Sequence, residues 1–373
     1  IAIVDIASGQ LLRSIGTGDE PADVVFAGSP QRAFVSISQR NQLQVFDPAN
    51  LGAAAQTLNL DGEEPRALAV SPDGTRVYVG FFESGNGSTA VRLQDVNNPA
   101  GPYGGQKPPP NAGAAFVPPR NPLNPPAPPV AQIVRKDTAG AWRDGNGRDW
   151  SAFVTWNSAD NDVALVNANT LSVSYAQRML TLVSALGVAS DGRLAAVGTE
   201  AKNEIRFEPN VKSIFVRSQI ASFAAATPGS VAIADLNPHL DYTLRSVAQS
   251  VRDLALGDPR AISLNPNGEI YVAGMGSNNV VVSNTAGTRL GRIDVGEGPT
   301  GLALSADAAR LYVLSKFAAS ISKIVSAMIR EEFLSSATNF LRYSMSTSLY
   351  RRSVPPVSSS PRSMLRWREL MKT

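Results

Sequence analysis

One string of residues recurs along this chain, and the spacing of its copies constrains the fold more than any other feature. Residues 62–79 read GEEPRALAVSPDGTRVYV, 257–272 read GDPRAISLNPNGEIYV and 296–313 read GEGPTGLALSADAARLYV. Weaker copies are GDEPADVVFAGSPQRAFV at 18–35 and SALGVASDGRLAAV at 184–197. The intervals from Pro21 to Pro65 and from Pro259 to Pro299 set a period of about 40 residues. A fixed period of that length marks an architecture assembled from one supersecondary unit, because each unit buries its apolar face only against a neighbour.

Each copy reads as two antiparallel strands and their turn. Ala67 and Ala69 alternate with Leu68 and Val70, the period of two expected of a strand. Ser71-Pro72-Asp73-Gly74 then reverses the chain, with proline presetting one φ and glycine accepting a positive one. Val77, Tyr78 and Val79 return as the second strand. A third strand follows a polar turn at 42–46, 279–282 and 319–325, and a fourth is legible at 11–15 and 289–295. No helical period runs between residues 1 and 325. Four short strands per unit predict an all-β fold, a β-propeller of four-stranded blades with long loop insertions. Small residues on the first strand (Ala67, Ala69, Ala261, Gly301, Ala303) suit inner strands crowded around an axis. A β-sandwich would not require the same turn string at a fixed period. The units fall at 18–60, 62–135, 148–180, 181–250, 256–293 and 295–325, and the opening IAIVDIASGQLLRSI supplies the third and fourth strands of another. Seven blades are expected, with six the alternative if the opening completes the final blade.

The string PRALAVSPDGTRVYVG and its sister copies resemble the YVTN-type β-propeller repeat of bacterial and archaeal cell-surface and periplasmic proteins. The resemblance covers residues 1–325. It implies an exported protein, periplasmic or at the cell surface, and a non-catalytic binding or surface-interaction scaffold. An enzyme resembling lactonases or quinoprotein dehydrogenases, with its site at the central channel, is the alternative on the same scaffold. Some proteins of this kind continue into a c-type haem segment with a Cys-x-x-Cys-His motif, which this cysteine-free sequence lacks. The chain opens at Ile1 with no charged-then-apolar leader, so the expected localisation rests on the resemblance alone.

Composition narrows the chemistry. With no cysteine there are no disulfides, thiolate nucleophiles or cysteine-bound zinc. No run of 18 or more apolar residues occurs, so no transmembrane segment is expected. The net charge of +3 suggests nucleic acid until it is located. Residues 326–373 hold 8 of the 34 basic and 3 of the 31 acidic residues, which leaves 26 basic against 28 acidic in 1–325. The body is slightly acidic, and no nucleic-acid partner is expected. The 326–373 tail, with 11 serines, 7 arginines and no glycine or aspartate, reads as disordered or out-of-frame sequence.

Two insertions interrupt the repeat. The first, at about 98–130, places 12 prolines in the 31 positions from Pro99 to Pro129 and reads as an extended surface loop or partner-docking segment. The second spans about 202–230. An unknown protein or carbohydrate partner is expected to contact these insertions, and the chain is expected to be a monomer.

Candidate chemistry is sparse. His239, the only histidine, cannot build a multi-histidine metal site; it is either a lone base at the channel or a turn residue after Pro238. Asp144, Asn146 and Asp149 in WRDGNGRDW resemble the front half of a calcium loop, although Thr155 stands where the distal glutamate belongs. Calcium is the one cofactor the sequence suggests. Asp160, Asn161 and Asp162 form a similar, weaker turn. Trp142, Trp150 and Trp156 either line a sugar- or peptide-binding surface or anchor the inserted loop. No Gly-rich phosphate loop, GxSxG or HExxH motif occurs.

Overall fold

The computed structural model describes residues 1–105, 132–201, 216–242 and 247–325. A hairpin of β1 (Ala2–Val4) and β2 (Leu11–Ser14) opens the chain. The first sheet follows as a meander of β3 (Pro21–Ala27), β4 (Arg32–Ile37), β5 (Gln42–Phe46) and β6 (Gln56–Asn59). Strands β7 (Glu63–Val70) and β8 (Arg76–Glu83) begin the second sheet. The chain then departs through β9 (Ser88–Val91), the short helix α1 (Leu93–Val96), β10 (Gln132–Lys136) and β11 (Trp142–Arg143), which form a separate three-stranded sheet. It returns as β12 (Val163–Asn167) and β13 (Val173–Ala176), which pair on to β8 and complete the second sheet. The third sheet is β14 (Leu182–Val188), β15 (Leu194–Ala201), β16 (Val216–Phe223) and β17 (Ala232–Asp235). Helix α2 (Gln249–Arg252) leads to the fourth, β18 (Pro259–Leu264), β19 (Glu269–Gly274), β20 (Asn279–Asn284) and β21 (Arg289–Asp294). The fifth has β22 (Pro299–Leu304), β23 (Arg310–Ser315) and β24 (Ser320–Val325).

The five numbered sheets are antiparallel, and the first strand of each packs against that of the next, in the series β3, β7, β14, β18, β22. The period of two in the sequence becomes burial on both faces. Val77, Val79 and Phe81 of β8 join Phe34, Leu43 and Val45 of the first sheet, while Tyr78, between them, joins Leu186, Leu194 and Phe223 of the third. The third and fourth sheets share Val197, Ile220, Val272 and Val281, and the fourth and fifth share Tyr271, Val280, Leu311 and Val313. The structure is therefore an all-β succession of sheets stacked face to face along their first strands, the relation expected of neighbouring blades. Each first strand carries a register shift near its start, at Pro21/Val24, Pro65/Ala67, Val183/Ala185, Pro259/Ala261 and Pro299/Gly301. Four of the five shifts begin at a proline, which has no N–H to give to the ladder and is tolerated at a bulge.

Side-chain clamps join successive sheets. Asn41, at φ 51, accepts the Glu64 N–H through Oδ1 at 2.9 Å; Asn278, at φ 54, accepts that of Gly298 at the same distance. Between the second and third sheets the clamp is an aspartate side chain. Asp162, fully buried, accepts the Met179 and Leu180 N–H groups at 3.1 Å each. The turns behave as their sequence requires: Asp73 accepts from the Ser71 hydroxyl at 2.5 Å and from the Thr75 N–H at 3.0 Å, and these bonds hold its carboxyl down at about 2.

Two expectations change. Among the described residues the six units counted from sequence become five stacked sheets, the opening hairpin and the inserted three-stranded sheet, because 62–135 and 148–180 contribute to one stacked sheet: β12 and β13 are the third and fourth strands that β8 lacks. The interruption is 84–162, wider than the Pro-rich stretch. Val216–Phe223, assigned to the second insertion, is the third strand of its sheet and pairs with β15 along its full length. The proline-dense residues 106–131, the segment 202–215 and the 326–373 tail lie outside the described residues.

Candidate functional site

The inserted unit has its own core. Val91, Val96, Val134, Trp142 and Trp150 are buried together, with Tyr103, Phe153 and Val154 packed against them. Trp150 is fully buried and Trp142 nearly so, whereas Trp156 is 53% exposed. The three indoles therefore form no common binding surface; two of them are what the insertion folds around.

The calcium-like turn serves the same core. Asp144 Oδ2 accepts the Tyr103 hydroxyl at 2.6 Å and the Trp150 indole N–H at 3.0 Å, while Oδ1 accepts the Asn146 and Arg148 N–H groups at 2.9 Å each. Asn146 donates its amide to the Tyr103 oxygen at 2.8 Å, and burial, then the bond to Asp144, raises the Tyr103 hydroxyl pKa. Asp149 accepts the Ser151 N–H at 2.9 Å and lies 3.8 Å from Arg143. Asp144 thus directs both its oxygens at protein donors, and no group of three His, Asp or Glu able to hold a metal occurs among the described residues.

His239 sits in the turn after β17. Its Nδ1 lies 3.3 Å from the Arg289 guanidinium at the start of β21, and its Nε2 is buried without a partner among the described residues. Burial, followed by the Arg289 charge, lowers its pKa. The ring is on the last-strand side of the fourth sheet, away from the first strands, so it does not join the bulged residues there. Those include Arg66 and Arg260, which both approach the Phe82 ring, at 4.2 and 5.8 Å. Each is neutralised beside its own strand, by Glu64 at 2.7 Å and Asp258 at 2.8 Å.

An open polar cleft of about 290 Å³ forms where the inserted unit meets the third sheet. Asn86, Gly87, Arg135 and Lys136 come from the insertion, Arg178 and Met179 from the turn into β14, and Glu200, Gln219 and Ile233 from β15, β16 and β17. Glu200 is the organiser. It is 3% exposed; its Oε1 meets Arg135 at 2.6 Å, and its Oε2 accepts the Asn86 amide at 2.7 Å and the Thr181 N–H at 2.9 Å. A buried carboxylate needs such partners, since unpaired burial of its charge is prohibitive. Arg135 also donates to the Ala201 carbonyl. Arg178 bonds Asp160 through Nε at 2.6 Å, and its guanidinium lies across Gly87, where a Cβ would come within 3.2 Å of it. Lys136 holds its ammonium 5.7 Å from the Trp142 ring.

No family model matches the chain, and no curated protein matches it. Solved structures do. Hydrazine synthase of Kuenenia stuttgartiensis is similar at 14% identity and a TM-score of 0.43, over 87% of this chain and 89% of that one. The Cps50 (Swd1) β-propeller domain of Myceliophteria thermophila is similar at 10% identity and a TM-score of 0.44, over 84% of this chain and 67% of that one. At such scores neither likeness bears on activity.

Sequence reasoning missed Glu200, Arg135, Arg178 and Gln219, which lie far apart in the chain and carry no motif. One local signal was available. Asn161-Asp162 before VALVN matches Asn41-Gln42 before LQVF and Asn278-Asn279 before VVVS, which identifies β12 as a third strand and 84–162 as one inserted block.

Proposed function

We propose that this chain is a β-propeller binding platform without catalytic activity, whose partner docks at the cleft between the inserted unit and the third sheet. The observation that carries the reading is the contrast in polar groups. Asp144, Asp149 and Asp162 are each engaged by neighbouring protein groups, whereas Arg178, which bonds Asp160 through Nε, lines the cleft beside Gln219. Membership of the YVTN-type family and export to the periplasm or cell surface belong to the same reading, supported by the repeat. Probing glycan and peptide arrays with the intact chain and its Trp150→Ala variant tests it. Binding by the wild type that the variant loses supports the platform. Turnover of lactones, or dye-linked oxidation of alcohols, by the intact chain overturns it.

A further inference from the structure

We propose that His239 is an acid-sensitive tie: protonation of its ring releases the turn 236–242 and helix α2 from the last strand of the fourth sheet. This goes beyond the platform reading and does not depend on it.

The connection from β17 to β18 is fastened at its base and on its flank. At the base Asn237, 5% exposed, donates its amide to the Leu256 carbonyl at 2.9 Å and accepts the Leu256 N–H at 2.7 Å. On the flank the fastening is one residue of β21. Arg289 donates through Nη2 to the Leu254 carbonyl, just past α2, at 2.6 Å, and its Nη1 lies 3.3 Å from His239 Nδ1. A guanidinium has only donors, so the bond to Nδ1 exists while that nitrogen keeps its lone pair and the imidazole is neutral. A proton added there removes the acceptor and sets a second cation 3.3 Å from the first. A turn held through a histidine that must be neutral is a turn that acid releases.

The surroundings do little to shelter a charged ring. Burial and then the Arg289 charge lower its pKa; the Val251 backbone on α2 and the Asp235 charge on β17 act the other way and are outweighed. Asp235 is already shared among the Asn237 N–H at 2.7 Å, the Tyr242 hydroxyl at 3.1 Å and Arg217 at 3.8 Å. On α2 and just past it, Arg252 and Asp253 both bond Gln249, at 2.7 and 2.5 Å. Arg292 of β21 is paired with Asp294, and Asp241, on the turn itself, is exposed. The 284–288 turn, which meets β17 at Ala234, carries no charge. The folded ring therefore takes up a proton less readily than the released one. Its contribution is complete above about pH 6.5 and is lost as the pH falls below that value.

The test uses the full chain, whose single histidine gives one imidazole signal to follow by NMR. Its midpoint is expected below about 6.5, and Arg289→Gln is expected to raise it towards that value. Local amide exchange, corrected for intrinsic rates, is read alongside, because global stability would also register Asp162. Amides of 236–242 and 249–254 are expected to exchange about tenfold faster at about pH 5 than at about pH 7.5. His239→Gln keeps an acceptor for Arg289 that does not titrate, so in that variant the acid acceleration is expected to disappear. Should His239→Gln fold poorly, Arg289→Gln still decides, since without the cation the midpoint moves. A wild-type midpoint at or above 6.5, a midpoint indifferent to Arg289→Gln, or acid acceleration that persists in His239→Gln overturns the inference.

Discussion

The second and fourth sheets share one strand order and differ in what hangs from them. The fourth runs from Pro259 to Asp294 with only 275–278 between its second and third strands. The second makes the same junction, β8 to β12, across 84–162. Left as free chain, that detour would cost roughly 2–3 kcal/mol of closure entropy over a tight turn. The structure avoids most of this at a neck: Gly85 donates to the Ala159 carbonyl at 3.0 Å, so the insertion leaves and returns at one point, and Ser84 ties that point to the third sheet by donating to the Thr181 carbonyl at 3.0 Å. The comparison teaches that a repeat tolerates a large excursion where its ends are pinned together and the excursion has a core of its own.

The largest effect should come from that core. Trp150→Ala is expected to remove about 3–5 kcal/mol from the inserted unit while the five sheets keep their own transition. Two-probe urea unfolding checks this; a single transition shifted as a whole would mean that the unit and the sheets are not separable. Next is the clamp beside the neck. Burial outweighs the two N–H bonds to Asp162 and pushes its carboxyl up to about 7. The folded chain then holds a proton that the unfolded chain has released above about 4, so this group's contribution declines between about pH 4 and 7. Asp162→Asn should flatten that slope, by up to about 2.5 kcal/mol between pH 5 and pH 7.5, in unfolding measured at those two values. An unchanged slope would assign the pH dependence elsewhere.

Smaller effects sharpen the comparison at the junctions. Gly85 has no room for a side chain: a Cβ would lie 2.8 Å from Ser158 Cβ and 2.9 Å from its carbonyl oxygen. Gly85→Ala should cost about 1–3 kcal/mol and act on the inserted unit first, seen as faster proteolysis within 84–162. In the uninterrupted fourth sheet, Asn278→Ala loses the bond to Gly298 and strains a left-handed backbone, for about 1–2 kcal/mol by thermal unfolding. The fifth sheet already has Ala319 in that conformation, so the same clamp is absent there.

What the sequence revealed follows from which interactions are local. The Ser71-Pro72-Asp73-Gly74 turn and the alternation around Val77–Val79 are set by neighbours a few residues away, so the strands they predict are found. The pairing of β8 with β12 depends on a partner past 84–162, and β16 has no repeat turn directly before it to announce it. The site was least legible. Glu200 is one of many acids in the sequence, and only folding brings it to Arg135 and Asn86. The tryptophans and the Asp144 turn drew notice because they cluster in sequence, and clustering there reflects a local core.

Native-state hydrogen exchange of the intact chain tests most directly whether the insertion is a separate unit carried by a continuous sheet. The amides of Val163–Asn167 are expected to exchange in the same slow class as those of Arg76–Glu83, with Ser88–Val91 and Gln132–Lys136 in a faster class of their own. If Val163–Asn167 instead exchanges together with Ser88–Val91 and Gln132–Lys136, the second sheet is not continuous and the cleft is not held as described.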